Sequence, residues 1–264
     1  MLMTRDARRL NRIGIQLYSL REAAKRDLEK TLADIAAIGY NDVEMLGSFD
    51  NFGMPAEHLR EILDRNGLRA PSTHVAAEAL DELEKQLDEA GILGHEYIVV
   101  ASLPVGRTHT LDDYRRWADR LNEAGRQARA RDLWIGFHNH GDDFVEIGGV
   151  VPYDLLLHRT DPLVVRHELD TGNVAMTGRD PVDYVKRYGS RYSLFHLKDV
   201  SRVDSTRDTE LGKGVVKFSQ LLSTIDDIDN KLLFVEQETS STPLESLRRA
   251  YSYITTLELQ FGSG

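Results

Sequence analysis

Short runs of β-branched and apolar residues alternate along the chain with longer segments whose apolar positions recur at helical spacing, and eight such units can be counted. The strand-like runs are Ile13 to Tyr18, Asp42 to Leu46, Arg69 to His74, Tyr97 to Ser102, Leu133 to His138, Leu163 to Asp170, Tyr192 to His196 and Leu232 to Glu236. Between the first two, the spacing predicts a helix over Glu22 to Ile38, with apolar Leu28, Leu32, Ile35, Ala36 and Ile38 and a stop at Gly39, a C-terminal cap. Leu111 to Arg131 and Asp180 to Tyr188 have the same character, the second opening on an N-cap aspartate followed by Pro181. Strict strand–helix alternation implies a parallel sheet, either open and doubly wound or closed into a barrel. No strand is followed by GxGxxG or GxxxxGKS/T, so nothing is set to cradle a nucleotide phosphate, and an α/β fold of one (β/α)8 TIM barrel is expected. The longest irregular stretch, Val200 to Val216 with Gly212 and Gly214, follows the seventh strand, where a barrel places a loop over its active face.

A length of 264 residues suits one such barrel. No linker, charge block or composition shift divides the chain, which predicts a single catalytic domain over residues 13–258, an extension at 1–12 and a tail at 259–264. With 41% hydrophobic and 29% charged residues, disorder is excluded as its main character. A net charge of −10 is the wrong sign for a nucleic-acid partner, whose phosphates must be neutralised. The chain has no cysteine, so any metal must sit on His, Asp and Glu, and disulfides and Cys nucleophiles are excluded. Met1 to Arg12 lacks the apolar centre of a secretory leader and no apolar run is long enough to span a bilayer, so a cytoplasmic protein without a membrane partner is expected.

In a barrel, function collects where strands end, and residues two apart share a face. That rule selects Gln16 and Tyr18, Glu44, His74, His138 and His140, Asp170, His196 with Lys198, and Glu236 with Glu238. His138, Asp170, His196 and Glu236 come from four neighbouring strand ends and combine imidazole with carboxylate, the shell of one divalent ion such as Mn²⁺, Co²⁺, Zn²⁺ or Mg²⁺. Gln16, Tyr18, Glu44, His74 and Lys198 are expected to touch substrate. Arg166 and Glu168 share parity with Asp170 and read as an internal ion network, while His58, His95, His109, His158 and His167 are given no role.

Gly14-Ile15-Gln16-Leu17-Tyr18-Ser19-Leu20-Arg21, Phe137-His138-Asn139-His140, Glu168-Leu169-Asp170, His196-Leu197-Lys198-Asp199, Glu210-Leu211-Gly212-Lys213-Gly214 and Val235-Glu236-Gln237 together resemble the sugar phosphate isomerase/epimerase family. The resemblance covers nearly the whole chain and implies a xylose-isomerase-like TIM barrel with a Glu, Asp, His, Glu metal shell, often for Mn²⁺. Asp170, His196 and Glu236 match the last three of these. At the first position this chain has His138, and relatives with the His-Asn-His form carry an acidic residue shortly afterwards, which Asp143 matches. Either residue is therefore a candidate for the first ligand, and Asp143 is otherwise expected to bind substrate.

The expected activity is isomerisation or epimerisation of a keto-sugar, through a metal-stabilised enediolate, with Glu236 as base and His138 or His140 returning the proton. A lyase or dehydratase of a 3-keto-glycoside or inosose-like ketone is the main alternative, because the same intermediate can expel a β-oxygen. An apurinic endonuclease is opposed by the charge, and a non-catalytic carbohydrate-binding barrel would need no metal. The expected partner is a small carbohydrate, with a homo-oligomer allowed.

Overall fold

The computed structural model describes residues 9–10, 12–104, 110–202 and 207–259. The expected extension and tail, and His109, lie largely or wholly outside the described residues. The chain runs β1 (Gly14–Gln16), α1 (Arg21–Arg26), α2 (Leu28–Ile38), β2 (Asp42–Met45), α3 (Ala56–Arg65), β3 (Arg69–Val75), α4 (Leu83–Leu93), β4 (Tyr97–Val100), α5 (Leu111–Arg129), β5 (Trp134–His138), α6 (Pro152–Arg159) and β6 (Val165–Asp170). It continues with α7 (Thr171–Met176), α8 (Pro181–Tyr188), β7 (Tyr192–Leu197), β8 (Asp199–Val200), β9 (Asp208–Thr209), α9 (Phe218–Thr224), β10 (Leu232–Val235) and α10 (Pro243–Thr256). Strands β1 to β7 and β10 pair in parallel and close into a barrel in the order β1-β10-β7-β6-β5-β4-β3-β2. This is the expected eight-stranded α/β barrel.

Local chemistry explains where the elements start and stop. The helix expected over Glu22 to Ile38 is two helices, because Asp27 is extended and its carboxylate accepts the Lys30 N–H, starting α2 afresh. Gly39 ends α2 with φ of 118°, a conformation glycine adopts at little cost. Thr110 and Asp113 form a reciprocal cap on α5, and Asp180 caps α8 through the Val182 N–H. Among the described residues no helix is long and apolar enough to cross a membrane.

The barrel interior is layered. Val99, Leu194, Leu232 and Phe234 form an apolar plug. Gly14 and Gly136 make room for it, since a Cβ at either would come within 2.5 Å of the Phe234 ring or 2.8 Å of Val99 Cγ2. His196 meets the Phe234 ring edge-on at 6.3 Å, and from there towards the C-terminal strand ends the inward positions are polar.

The stretch after β7, expected to be irregular, is organised around one carboxylate. β8 and β9 form an antiparallel ladder, and Asp199 accepts four backbone N–H groups among the described residues: Oδ1 from Val200 and Val216, Oδ2 from Gly212 and Gly214, all at 2.9–3.0 Å. Gly214 packs so closely that a Cβ there would lie 2.2 Å from Asp199 Oδ1. Buried or half-buried N–H groups left without an acceptor cost about 1–3 kcal/mol each. Asp199→Ala is thus expected to lower unfolding free energy by about 3 kcal/mol and speed proteolysis after β7. Urea melts and limited proteolysis check this; an unchanged midpoint would show that the carboxylate organises nothing.

Candidate active site

Two residues along a strand is one pleat repeat, so inward side chains from neighbouring strands stack in tiers. The lower tier holds Glu44 from β2, His74 from β3 and Glu168 from β6. His138 and His196, at the ends of β5 and β7, reach down to it. Glu168 Oε2 lies 2.7 Å from His74 Nε2, 3.0 Å from His138 Nδ1 and 3.2 Å from His196 Nε2. Glu44 Oε2 lies 2.6 Å from His196 Nε2, 3.2 Å from His74 Nε2 and 2.6 Å from the donating amide of Gln16, while Ser72 Oγ donates to Glu44 Oε1. All of these groups are buried.

The upper tier faces the barrel mouth. His196 Nδ1 stands 3.2 Å from Glu236 Oε2, and His138 Nε2 stands 3.8 Å from Asp170 Oδ2. The Lys198 ammonium lies 3.4 Å from Glu236 Oε2 and 3.6 Å from Asp170 Oδ2, and contacts Glu238. Its stem crosses Gly172, where a Cβ would come within 2.6 Å of Lys198 Cγ. The strand ends are pinned from outside: Asn139 accepts the Asp170 N–H, and the Thr171 hydroxyl donates to the Lys198 carbonyl.

The electrostatics follow from burial and these partners. Burial pushes Asp170 up to about 7, with Lys198 pulling the other way and Glu236 reinforcing the rise. Burial also opposes ionisation of Glu236, but Lys198 and His196 hold its carboxyl well below the usual range. Lys198 resists the effect of burial because Glu236, Asp170 and Glu238 keep its ammonium charged. Burial and Lys198 drive His140 down to about 4.

These residues fit a divalent ion. Asp170 Oδ1 accepts the Asn173 N–H at 2.8 Å, but the buried Oδ2 has no hydrogen-bond partner among the described residues and is offset only at longer range by the Lys198 ammonium at 3.6 Å, which leaves it open to a metal ion. Oδ2 shares its surroundings with one imidazole nitrogen and a second carboxylate, since ligand atoms of Asp170, His196 and Glu236 lie within 4.8 Å of one another. Two bonds of about 2.0–2.2 Å to one ion span up to about 4.4 Å, so small side-chain shifts would bring all three onto it. A second group meeting the same criterion is His74, His138, Glu168 and His196.

A cavity of about 270 Å³ opens on the upper tier, lined among others by Tyr18, Phe49, His74, His138, His140 and Glu236. Tyr18 lines it, and Arg21 stacks on the Tyr18 ring at 4.2 Å. Gln16, Glu44, Lys198 and Asp143 are not among its lining residues. Asp143 belongs to neither cluster: it accepts the His140 N–H at 2.8 Å and the Tyr114 hydroxyl at 3.2 Å. Arg166 is not the partner of Glu168 as expected; one pleat repeat further down, it stacks over Trp134 at 4.4 Å and donates to the Ser190 carbonyl.

Phe49 was missed by sequence reasoning. It sits 44% exposed at the rim, 6.1 Å from the Tyr18 ring, and is followed by three residues with φ of 49°, 43° and 59°: Asp50, Asn51 and Phe52. Asn51 anchors this turn by donating to Glu89 at 2.5 Å. Its signal was an aromatic within a few residues of a strand end.

Residues 32–257 match the family described as xylose isomerase-like TIM barrels. The chain belongs to that family. An inosose dehydratase of Bacillus cereus (strain AH820) is 25% identical over 272 residues, covering 88% of this chain and 90% of the relative. Among solved structures, a sugar phosphate isomerase/epimerase from Parabacteroides distasonis ATCC 8503 superposes with a TM-score of 0.77 at 24% identity, covering 93% and 96% of the two chains. The IOLI protein with a bound zinc atom superposes at 0.75 with 14% identity, covering 93% and 98%. Both likenesses are of fold.

Proposed function

We propose that this member of the xylose isomerase-like family is a divalent-metal-dependent enzyme that removes a proton next to the carbonyl of a keto-sugar or keto-cyclitol and expels the β-oxygen. The observation that carries this reading is the convergence of Asp170, His196 and Glu236 around a buried carboxylate oxygen that no hydrogen bond satisfies, with a charged lysine beside them. Asp170, His196, Glu236 and His138 would hold the ion, with Mn²⁺ the first expectation for this mixed nitrogen and oxygen set and Zn²⁺, Co²⁺ and Mg²⁺ also suited. Such an ion would polarise the substrate carbonyl and offset negative charge developing there.

Glu236, ionised at neutral pH, takes the proton from the carbon next to the carbonyl. The released electron pair forms a carbon–carbon double bond as the bond to the β-oxygen breaks. The Lys198 ammonium, set just behind the cavity-lining Glu236 and Glu238, protonates the departing oxygen as water or an alcohol, and both side chains return to their starting states by exchange with solvent. Elimination is favoured over isomerisation or epimerisation because the charged donor beside Glu236 is Lys198, while His140 is held neutral. The dehydratase relative supports the same choice. A net charge of −10 and a cavity of about 270 Å³ favour a small carbohydrate over a nucleic acid.

Mn²⁺- or Zn²⁺-loaded protein incubated in D₂O with a panel of keto-sugars, keto-glycosides and inososes tests the reading. A product lighter by water or alcohol supports elimination. Deuterium uptake without loss makes the enzyme an isomerase or epimerase, and no turnover or uptake with any ion overturns the reading. His138→Ala is expected to weaken metal binding by at least about tenfold, the low end of even outer-shell effects, whereas Asp143→Ala leaves it near normal. Calorimetry of both variants decides this; the reverse pattern would make Asp143 the ligand.

A further inference from the structure

We infer that the lower tier fixes His138 and His196 in opposite tautomers, so that they present different ring nitrogens, Nε2 of His138 and Nδ1 of His196, to a divalent ion in the upper tier. The inference rests on the metal site proposed above and adds an assignment of Glu168 and Glu44 as positioning residues.

An ionised carboxylate only accepts, so every nitrogen held against one must bring the hydrogen. His138 turns Nδ1 to Glu168 Oε2 at 3.0 Å, which makes Nδ1 the protonated nitrogen of the neutral ring and leaves the Nε2 lone pair directed towards Asp170 Oδ2. His196 is reversed. Its Nε2 meets both Glu44 at 2.6 Å and Glu168 at 3.2 Å, so a hydrogen resides there. By the same rule Nδ1, 3.2 Å from Glu236 Oε2, carries the second hydrogen of a charged ring, and a divalent ion binding there would displace it, leaving the Nε2 hydrogen in the lower tier and Nδ1 as the ligand.

Gln16 and Ser72 donate to Glu44 and His74 meets Glu168, so the tier is itself held in place. A metal-bound imidazole whose other N–H is fixed by a carboxylate is a recurrent arrangement, and loss of the carboxylate typically weakens metal binding 10- to 100-fold. Here one floor serves two imidazoles in opposite senses. His74, whose Nε2 points into the same floor, is left as a donor to both carboxylates rather than a ligand.

The test uses the full chain with ¹⁵N-labelled histidine rings, titrated with Zn²⁺ alone and read by long-range ¹H–¹⁵N correlation. His138→Gln and His196→Gln spectra assign the signals. The expected result is zinc on Nε2 with N–H on Nδ1 for His138, and the reverse for His196. In parallel, Glu168→Gln is expected to bind Zn²⁺ about 10- to 100-fold more weakly with an unchanged circular dichroism spectrum. Zinc on the same nitrogen of both rings, or wild-type affinity in Glu168→Gln, overturns the inference while leaving the metal site standing. Absence of any zinc-induced ring shift overturns the metal site and this assignment with it. If Glu168→Gln fails to fold, the wild-type spectrum alone decides.

Discussion

Asp170→Asn is expected to leave a folded protein that binds divalent metal more than about a hundredfold less tightly, beyond the range of outer-shell substitutions, and that has lost at least about a thousandfold in turnover. The folded state survives because the amide oxygen can still accept the Asn173 N–H that Oδ1 accepts now, keeping the cap of α7. What disappears is the anionic character of the buried Oδ2, which accepts no hydrogen bond now. An ion stabilising developing charge contributes several kcal/mol, and each 1.36 kcal/mol is tenfold in rate, which sets the scale of the loss. Metal content per chain after dialysis, with a thermal melt as control, checks it. Full metal retention would remove Asp170 from the shell.

Glu236→Gln is expected to lower turnover by about 10²- to 10⁴-fold at saturating metal, with a much smaller change in KM. The amide has the shape of the carboxylate but no basicity, so the substrate can be seated while the carbon-bound proton stays in place. Lys198 keeps Asp170 and Glu238 as partners, so its position is largely preserved. The separating measurement is deuterium exchange into substrate, which should fall in step with turnover. A variant that binds poorly but exchanges at the wild-type rate once saturated would place the base elsewhere.

The eight strands were legible because apolar runs at strand length recur between helical segments, and the strand ends then named most of the cluster. His138, Asp170, His196 and Glu236 could be grouped by adjacency of their strands alone. Glu168 was grouped with the wrong partner for a physical reason: parity along β6 places Arg166, Glu168 and Asp170 on one face, but says nothing about which strand opposite meets each level. Closure of the barrel brings His74 from three strands away against Glu168 and leaves Arg166 to Trp134. Asp199 was quoted in a motif without a role, since its partners are backbone N–H groups that no residue pattern encodes. The break at Asp27 was readable in principle, as an aspartate three residues before a satisfied N–H is a start signal, yet helical periodicity continues across it.

The turn beyond β2 places three successive residues, none of them glycine, in the left-handed region, and each such residue costs of order 1–3 kcal/mol that the rest of the barrel must offset. Phe52, the bulkiest, is the most unusual there. Phe52 packs on the core and against Phe49, but Asp50 is exposed, so glycine at position 50 would relax the turn without removing packing, and a search for heat-resistant variants would enrich for changes at this rim. The same changes would release Phe49 from the cavity mouth. Selection by melting temperature and selection by ligand affinity therefore pull this turn in opposite directions, and variants sorted by the first should be re-sorted by the second.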